Sequence, residues 1–365
     1  MGSLTEPSAG GVAFNPDFAV PAGATLRDVL RHTGMTQSDL AARADLSLKH
    51  INQIIHGAAP ITAETALALE KVTGVSSSIW NRLETNYRDR LARLNDTIAS
   101  KADLEWLTSL PLKELQSRGL LSKELRGGAR VDAVCRFFRV ANRHAWERVW
   151  RAPLAAFRKS HAFSADAGAV ATWLRLGEIE AADIDCAPYD AKKFRAALRR
   201  IRDLTEDPDF ERQMVELCAA SGVAVVFVPE IPKTRSSGAA RWLTPTKGLI
   251  QLSLRHKSDD HFWFSFFHEA GHLLLHSKKS TFITGDNTVD QLAEDEANEF
   301  AAAWLIPKRF DAELRSLRTS SEIKTFAAKI GIAPGIVVGR LQRERILDWG
   351  VPENKLKRSV RFVED

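Results

Sequence analysis

The chain has 365 residues, 44% of them hydrophobic and 27% charged, with a net charge of +5. That is a soluble globular composition with room for two or three domains, and no apolar run is long enough for a membrane-spanning helix. Three widely spaced cysteines, Cys135, Cys186 and Cys218, suit a reducing cytoplasm and exclude a disulfide framework.

Residues 1–21 lack the charged start and apolar core of a secretory signal and read as a flexible tail. Residues 22–97 have helical apolar spacing punctuated at Gly34, Gly57, Pro60 and Gly74, which predicts a domain of short helices. Residues 98–185 read as a basic helical linker domain, and residues 99–200 carry 19 Lys and Arg against 12 Asp and Glu. Basic segments can attract nucleic acid. Within this one, VCRFFRVANRHAWERVWR (134–151) interleaves arginine with aromatics. It reads as apolar core with a solvated arginine rim, or else as a single-strand nucleic-acid surface. Residues 186–307 form the next domain. GVAVVFV (222–228) and GLIQLSL (248–254) predict two strands, followed by a helix over 261–277 capped by Asp259 or Asp260 and another over 289–305. Residues 308–365 read as a helical C-terminal subdomain and tail. Its segment 322–345 resembles a helix-turn-helix, expected to pack rather than to read DNA.

Residues 268–276, HEAGHLLLH, follow a run of aromatics. At about 100° per residue, His261, Ser265, His268, Glu269, His272 and His276 fall in one arc, and large apolar residues cover most of the rest. A buried helix with one polar stripe needs something to satisfy that stripe. His-Glu-x-x-His places two imidazoles, His268 and His272, side by side to hold one Zn²⁺. Glu269, between them, is placed to move protons as a general base. A third ligand is expected from the 289–305 helix. There Glu294 shares a face with Ala297, Asn298, Ala301 and Leu305, whereas Glu296 points the other way. Asn298, one turn on, and His276 are candidates to support the ligands from outside. Arg241, His256, His261 and His276 are the candidates for stabilising an oxyanion. Cys186, just before this domain, is a candidate thiol to cap the zinc.

The pair His268-Glu269-Ala-Gly-His272-Leu-Leu-Leu-His276 and Glu294-Asp-Glu-Ala-Asn298-Glu-Phe-Ala-Ala-Ala-Trp-Leu-Ile-Pro307 resembles the ImmA/IrrE family of zinc metallopeptidases over roughly residues 186–345. The resemblance implies a reduced thermolysin-like (gluzincin) α+β domain, zinc held by His268, His272 and Glu294, and Glu269 as general base. It also implies cleavage of a partner helix-turn-helix repressor, with the strand 248–254 as the edge that receives the substrate backbone.

TQSDLAARADLSLKHINQIIHG (36–57), with Ser47 as an expected N-cap, resembles the repressor-type helix-turn-helix of the HigA antitoxin (XRE-type) family over about residues 22–92. The resemblance implies DNA binding through Lys49 and Gln53 in the major groove, Gln37 on phosphate and His50 nearby. The module's near-neutral charge leaves a protein-docking role open. The expected chain is therefore multidomain and mainly α with a small α+β part. Its expected function is a cytoplasmic zinc endopeptidase that derepresses stress, DNA-damage or phage-defence genes, with single-stranded DNA as a candidate activator. The alternative is a non-enzymatic HigA-like antitoxin or autorepressor carrying a vestigial zinc domain.

Overall fold

The computed structural model describes residues 18–96, 99–151, 166–253, 255, 257–277, 282–285 and 291–361. It divides into two compact units, Met1–Leu104 with Leu125–Asp132, and Glu105–Glu124 with Ala133–Asp365.

The first unit opens with α1 (Ala22–Thr33), α2 (Gln37–Ala44), α3 (Leu48–Ile55), α4 (Ala63–Thr73) and α5 (Ser77–Asp96). Local chemistry sets the α2–α3 turn. Thr36 and Asp39 form a reciprocal capping box at the start of α2. Asp45 takes the left-handed conformation at φ 56° to end it, and the Ser47 hydroxyl accepts from His50 N at 3.1 Å to start α3. Leu26, Leu30, Leu40, Ile51, Ile54 and Trp80 close the core. Gly23 lets α1 cross α3 closely, since a Cβ there would fall 2.2 Å from the Ile54 carbonyl oxygen.

The second unit is built on a four-stranded sheet of order β1-β3-β2-β4, with β1 Val223–Phe227, β2 Ser236–Thr244, β3 Lys247–Leu252 and β4 Phe282–Gly285. β1 pairs parallel to β3, and β2 pairs antiparallel to both β3 and β4. β3 is therefore an interior strand, not the sheet edge expected for residues 248–254. β2 and β4 were absent from the sequence reading, because SSGAARWLT lacks the β-branched run that announced the other two.

Helices α6 (Lys101–Thr108), α7 (Leu112–Ser117), α8 (Gly127–Phe138) and α9 (Arg143–Trp146) precede α10 (Ala167–Ala182), which lies on one face of the sheet. Strand alternation divides the side chains. Gln251 donates to the Trp173 carbonyl of α10 at 2.7 Å, and Arg241 pairs with Glu178 of α10 at 3.1 Å. Trp173 Nε1 donates to the Val228 carbonyl at 3.0 Å. Val223, Val225, Ala240, Ile250 and Leu252 face the other way, into the main core. That core is completed by α11 (Ala191–Asp203), α12 (Phe210–Ala219), α13 (Asp259–Leu275), α14 (Gln291–Leu305), α15 (Asp311–Ser316), α16 (Ser320–Ile330) and α17 (Pro334–Arg343). Hence the boundaries expected at residues 185 and 307 do not separate compact units. α10, expected in the linker, is a layer of this unit, and Phe326, Val337 and Leu341 of the expected C-terminal subdomain share its core. Of the aromatics of residues 134–151, Phe138, Trp146 and Trp150 are buried and pack edge to face, while Phe137 is half-buried.

Candidate metal centre

Helix α13 starts two residues earlier than its sequence suggests. Ser258 is the N-cap, and Asp259 and Asp260 stand in the first turn, where carboxylates favour the positive end of the helix dipole. Gly335 and Gly339, one turn apart on α17, make room for these acids. A Cβ at either would fall within 2.6 Å of a carboxylate oxygen of Asp259 or Asp260. Asp259 is 2% exposed. Burial, with Asp260 beside it, pushes its carboxyl up to about 6 against hydrogen bonds that favour the ion.

Further along α13, His268, Glu269 and His272 are at most 1% exposed. The close approach of α14 follows from small residues. A Cβ on Gly271 would meet Ala297 Cα at 3.3 Å and the Phe300 ring at 3.1 Å. Ala297 and Ala301 are fully buried. This brings Glu294 to the two imidazoles. His268 Nε2 lies 3.2 Å from Glu294 Oε2, and His272 Nε2 lies 3.4 Å from Glu294 Oε1. The two Nε2 atoms are 2.9 Å apart.

The backing hydrogen bonds assign the ring protons. His268 Nδ1–H donates to Asn298 Oδ1 at 3.1 Å. His272 Nδ1–H donates to His276 Nδ1 at 3.0 Å, and His276 Nε2–H donates to Glu296 Oε2 at 3.0 Å. Both Nε2 lone pairs then face one another and a carboxylate. Such a set is repulsive in a buried place unless a cation stands between its members. Ligands of a tetrahedral zinc at 2.0–2.1 Å lie roughly 3.3 Å apart, so the donors and their spacing fit that ion. Among the described residues this is the one cluster of three His, Cys, Asp or Glu that could hold a metal. Burial lowers the proton affinity of His272. Burial opposes ionisation of Glu294, but positive charge on its His268 and His272 side favours the ion and holds its carboxyl at about 2, the part a bound cation plays when both Nε2 atoms present lone pairs. A neutral His272 and an ionised Glu294 are what a divalent cation requires.

Glu269 is turned toward the sheet. A Cβ on Gly238 of β2 would fall 2.4 Å from Glu269 Oε1 and 2.8 Å from its Cγ, so the carboxylate occupies the space that a side chain at 238 would take. Gly238 was missed in the sequence, where it reads as one small residue in a loop. Glu296 was set aside because it lies off the Glu294 face. It joins the site through His276, which leaves the helix in an extended conformation at φ −111°, ψ 171° and so departs from the helical wheel.

The other expected residues fall elsewhere. Cys186 stands outside the cluster. The Ala187 N–H to Ala219 carbonyl bond of 3.0 Å ties its segment to the end of α12, and burial raises its thiol despite nearby Lys247. A protonated thiol there is a poor zinc cap. Arg241 is committed to Glu178 and to the Leu174 carbonyl on the α10 side of the sheet, so it cannot serve an oxyanion beside Glu269. His276 is committed to His272 and Glu296. His256 lies outside the described residues, and His261 is half-buried on the first half of α13. In the first unit, Lys49 is exposed on α3 while His50, Gln53 and Gln37 are half-buried. Apolar Leu48 is 52% exposed at the start of the same helix.

Family models match two parts of the chain, an IrrE N-terminal-like domain at residues 218–342 and a helix-turn-helix at residues 26–80. No curated protein matches. Solved structures similar to a part of the chain include a Pseudomonas aeruginosa antitoxin HigA with higBA promoter, at 24% identity over 22% of this chain and 87% of that one, TM-score 0.21. Another is an addiction module antidote protein of a HigA family from Coxiella burnetii, at 23% identity over 30% of this chain and 96% of that one, TM-score 0.20. Among the described residues no helix is long and apolar enough to cross a membrane. The chain therefore joins an N-terminal helix-turn-helix domain to an IrrE N-terminal-like domain.

Proposed function

We propose that the chain is a zinc-dependent endopeptidase whose substrate is a helix-turn-helix repressor, and that cleavage derepresses the genes that repressor controls. The observation that carries this reading is the buried convergence of His268, His272 and Glu294 on one point, with the Glu269 carboxylate beside it over Gly238. A zinc ion held by the three ligands would supply Lewis-acid polarisation of the scissile carbonyl and of the attacking water. Glu269 would accept a proton from the attacking water as the C–O bond forms, and pass it to the amine nitrogen as the C–N bond of the tetrahedral adduct then breaks. Asn298 and His276 hold the two imidazoles in the tautomer whose Nε2 lone pairs face Glu294, as metal ligands would. Among the described residues, the sheet edge next to Gly238 is β4, which pairs with β2. It is the strand onto which an extended substrate would add.

The N-terminal unit is assigned to duplex DNA, with α3 in the major groove and Lys49 and Gln53 reading bases. The capped α2–α3 turn and the exposed Lys49 support this. Such a module would place the peptidase near DNA-bound repressor. The test is co-expression with a helix-turn-helix repressor from the same genome, in the presence and absence of single-stranded DNA. Cleavage that requires Glu269 supports the reading. Its absence under every condition, with zinc bound, returns the chain to the DNA-binding antitoxin alternative.

A further inference from the structure

The second unit contains a cavity of about 420 Å³ that no step of the proposed reaction uses. It adjoins the metal centre through Asn298, which lines the cavity and accepts from His268 Nδ1. Phe264, Leu305, Ile306 and Ile336 give it apolar walls. Ala302 leaves space in one wall, and Trp349, 63% exposed, borders it. The size lies within the range of small-molecule sites, which combine apolar walls with a few placed polar groups.

The charges in the wall do not balance locally. Its acids are already matched: Asp260 with Lys357 at 2.7 Å, Glu299 with Lys308 at 2.5 Å, and Glu344 with Arg340 at 2.6 Å. Arg343 differs. Its guanidinium carbon lies 4.7 Å from the centroid of the Phe264 ring, and among the described residues no carboxylate pairs with it. A guanidinium set against an aromatic wall still has N–H donors to offer, and it can present two of them in parallel to a carboxylate.

We propose that this cavity binds a small amphipathic anion, a carboxylate carried on an aliphatic or aromatic body. The body fills the space between Phe264, Ile336 and Ala302, and the carboxylate pairs with Arg343. The assignment goes beyond the peptidase reading and does not depend on it, because it concerns binding to a separate cavity.

The test is isothermal titration of the full chain with 4-phenylbutyrate and, separately, with its uncharged amide, 4-phenylbutyramide. The wild type should bind the anion about tenfold more tightly than the amide, a difference of about 1.4 kcal/mol. Arg343→Gln, on an exposed side chain, should bring the two affinities within about twofold. Ala302→Phe, which fills the cavity, should abolish binding of both while thermal melting reports an intact fold. Any of three results would overturn the proposal: no binding of 4-phenylbutyrate at millimolar concentration, equal wild-type affinity for anion and amide, or an anion preference that survives in Arg343→Gln. The second and third keep their meaning even if Ala302→Phe fails to fold, and all three are independent of whether any repressor is cleaved.

Discussion

The carboxylate of Glu269 lies where the side chain of residue 238 would be: a Cβ on Gly238 would sit 2.4 Å from Glu269 Oε1. The glycine is needed for space, not for backbone freedom, since Gly238 is not among the positive-φ residues. Gly238→Ala should therefore fold normally and bind zinc with unchanged stoichiometry, yet displace the carboxylate by about 1 Å. A shift of that size costs about 10²-fold in rate. A repressor-cleavage time course beside a zinc assay checks this. Wild-type cleavage in the variant would show that Glu269 does not act from the observed position.

The outer contacts of the two imidazoles should appear in metal affinity before they appear in fold. His276→Ala removes the acceptor of His272 Nδ1–H, and Asn298→Ala removes that of His268. Each should weaken zinc binding by about 10- to 100-fold, measured by competition with a chelator. Glu296→Gln, one bond further out and half exposed, should do less. An effect of Glu296→Gln as large as that of His276→Ala would contradict the chain of hydrogen bonds from Glu296 to His272.

Asp259 makes a pH-dependent contribution with a definite sign. Its folded proton affinity, about 6, exceeds the ordinary 3.8. The folded state thus binds the proton more tightly, and stability falls as pH rises from about 4 through about 6. The groups around it are Asp260, Arg358 and the first turn of α17 at Gly335. Asp259→Asn removes the titration. The stability difference, variant minus wild type, should be small near pH 4 and grow to at most about 3 kcal/mol in favour of the variant above pH 6. Thermal melts across that range test it, and a difference that stays flat with pH would exclude the buried ionisation.

In the first unit, Lys49→Ala and Gln53→Ala should reduce retardation of upstream duplex DNA at low salt, with losses of about 1–3 kcal/mol for a base-reading contact. Ile51→Ala should instead unfold or weaken the unit by about 2–5 kcal/mol, because Ile51 is fully buried. No retardation of wild type at micromolar protein would move the module to protein docking.

These outcomes also show what could be read from sequence. The helix-turn-helix was legible because Ser47 is a local capping signal and residues 36–57 resemble the repressor-type motif. The convergence of His268, His272 and Glu294 was legible because helical spacing alone places His268 and His272 together and puts Glu294 on the alanine face of the next helix. Features made by non-local contacts were not legible. The β2 strand carries small residues because Glu269 and α13 press on it. β3 lies inside the sheet because β2 and β1 flank it, and no local pattern in GLIQLSL states how many neighbours it has. Residues 175–185 read as bland mixed charge, yet Arg175 is 5% exposed and pairs with Glu178 at 2.5 Å while donating to the Phe137 carbonyl. These charges are satisfied internally and carry no surface signal.

The most direct test of the central claim is cleavage of a co-expressed helix-turn-helix repressor from the same genome, comparing wild type with Glu269→Gln while measuring zinc in both proteins. The account predicts one zinc per chain in each, cleavage by the wild type, and loss of cleavage in Glu269→Gln. Equal cleavage by both proteins, or a wild type that holds zinc and cuts no repressor, would contradict it.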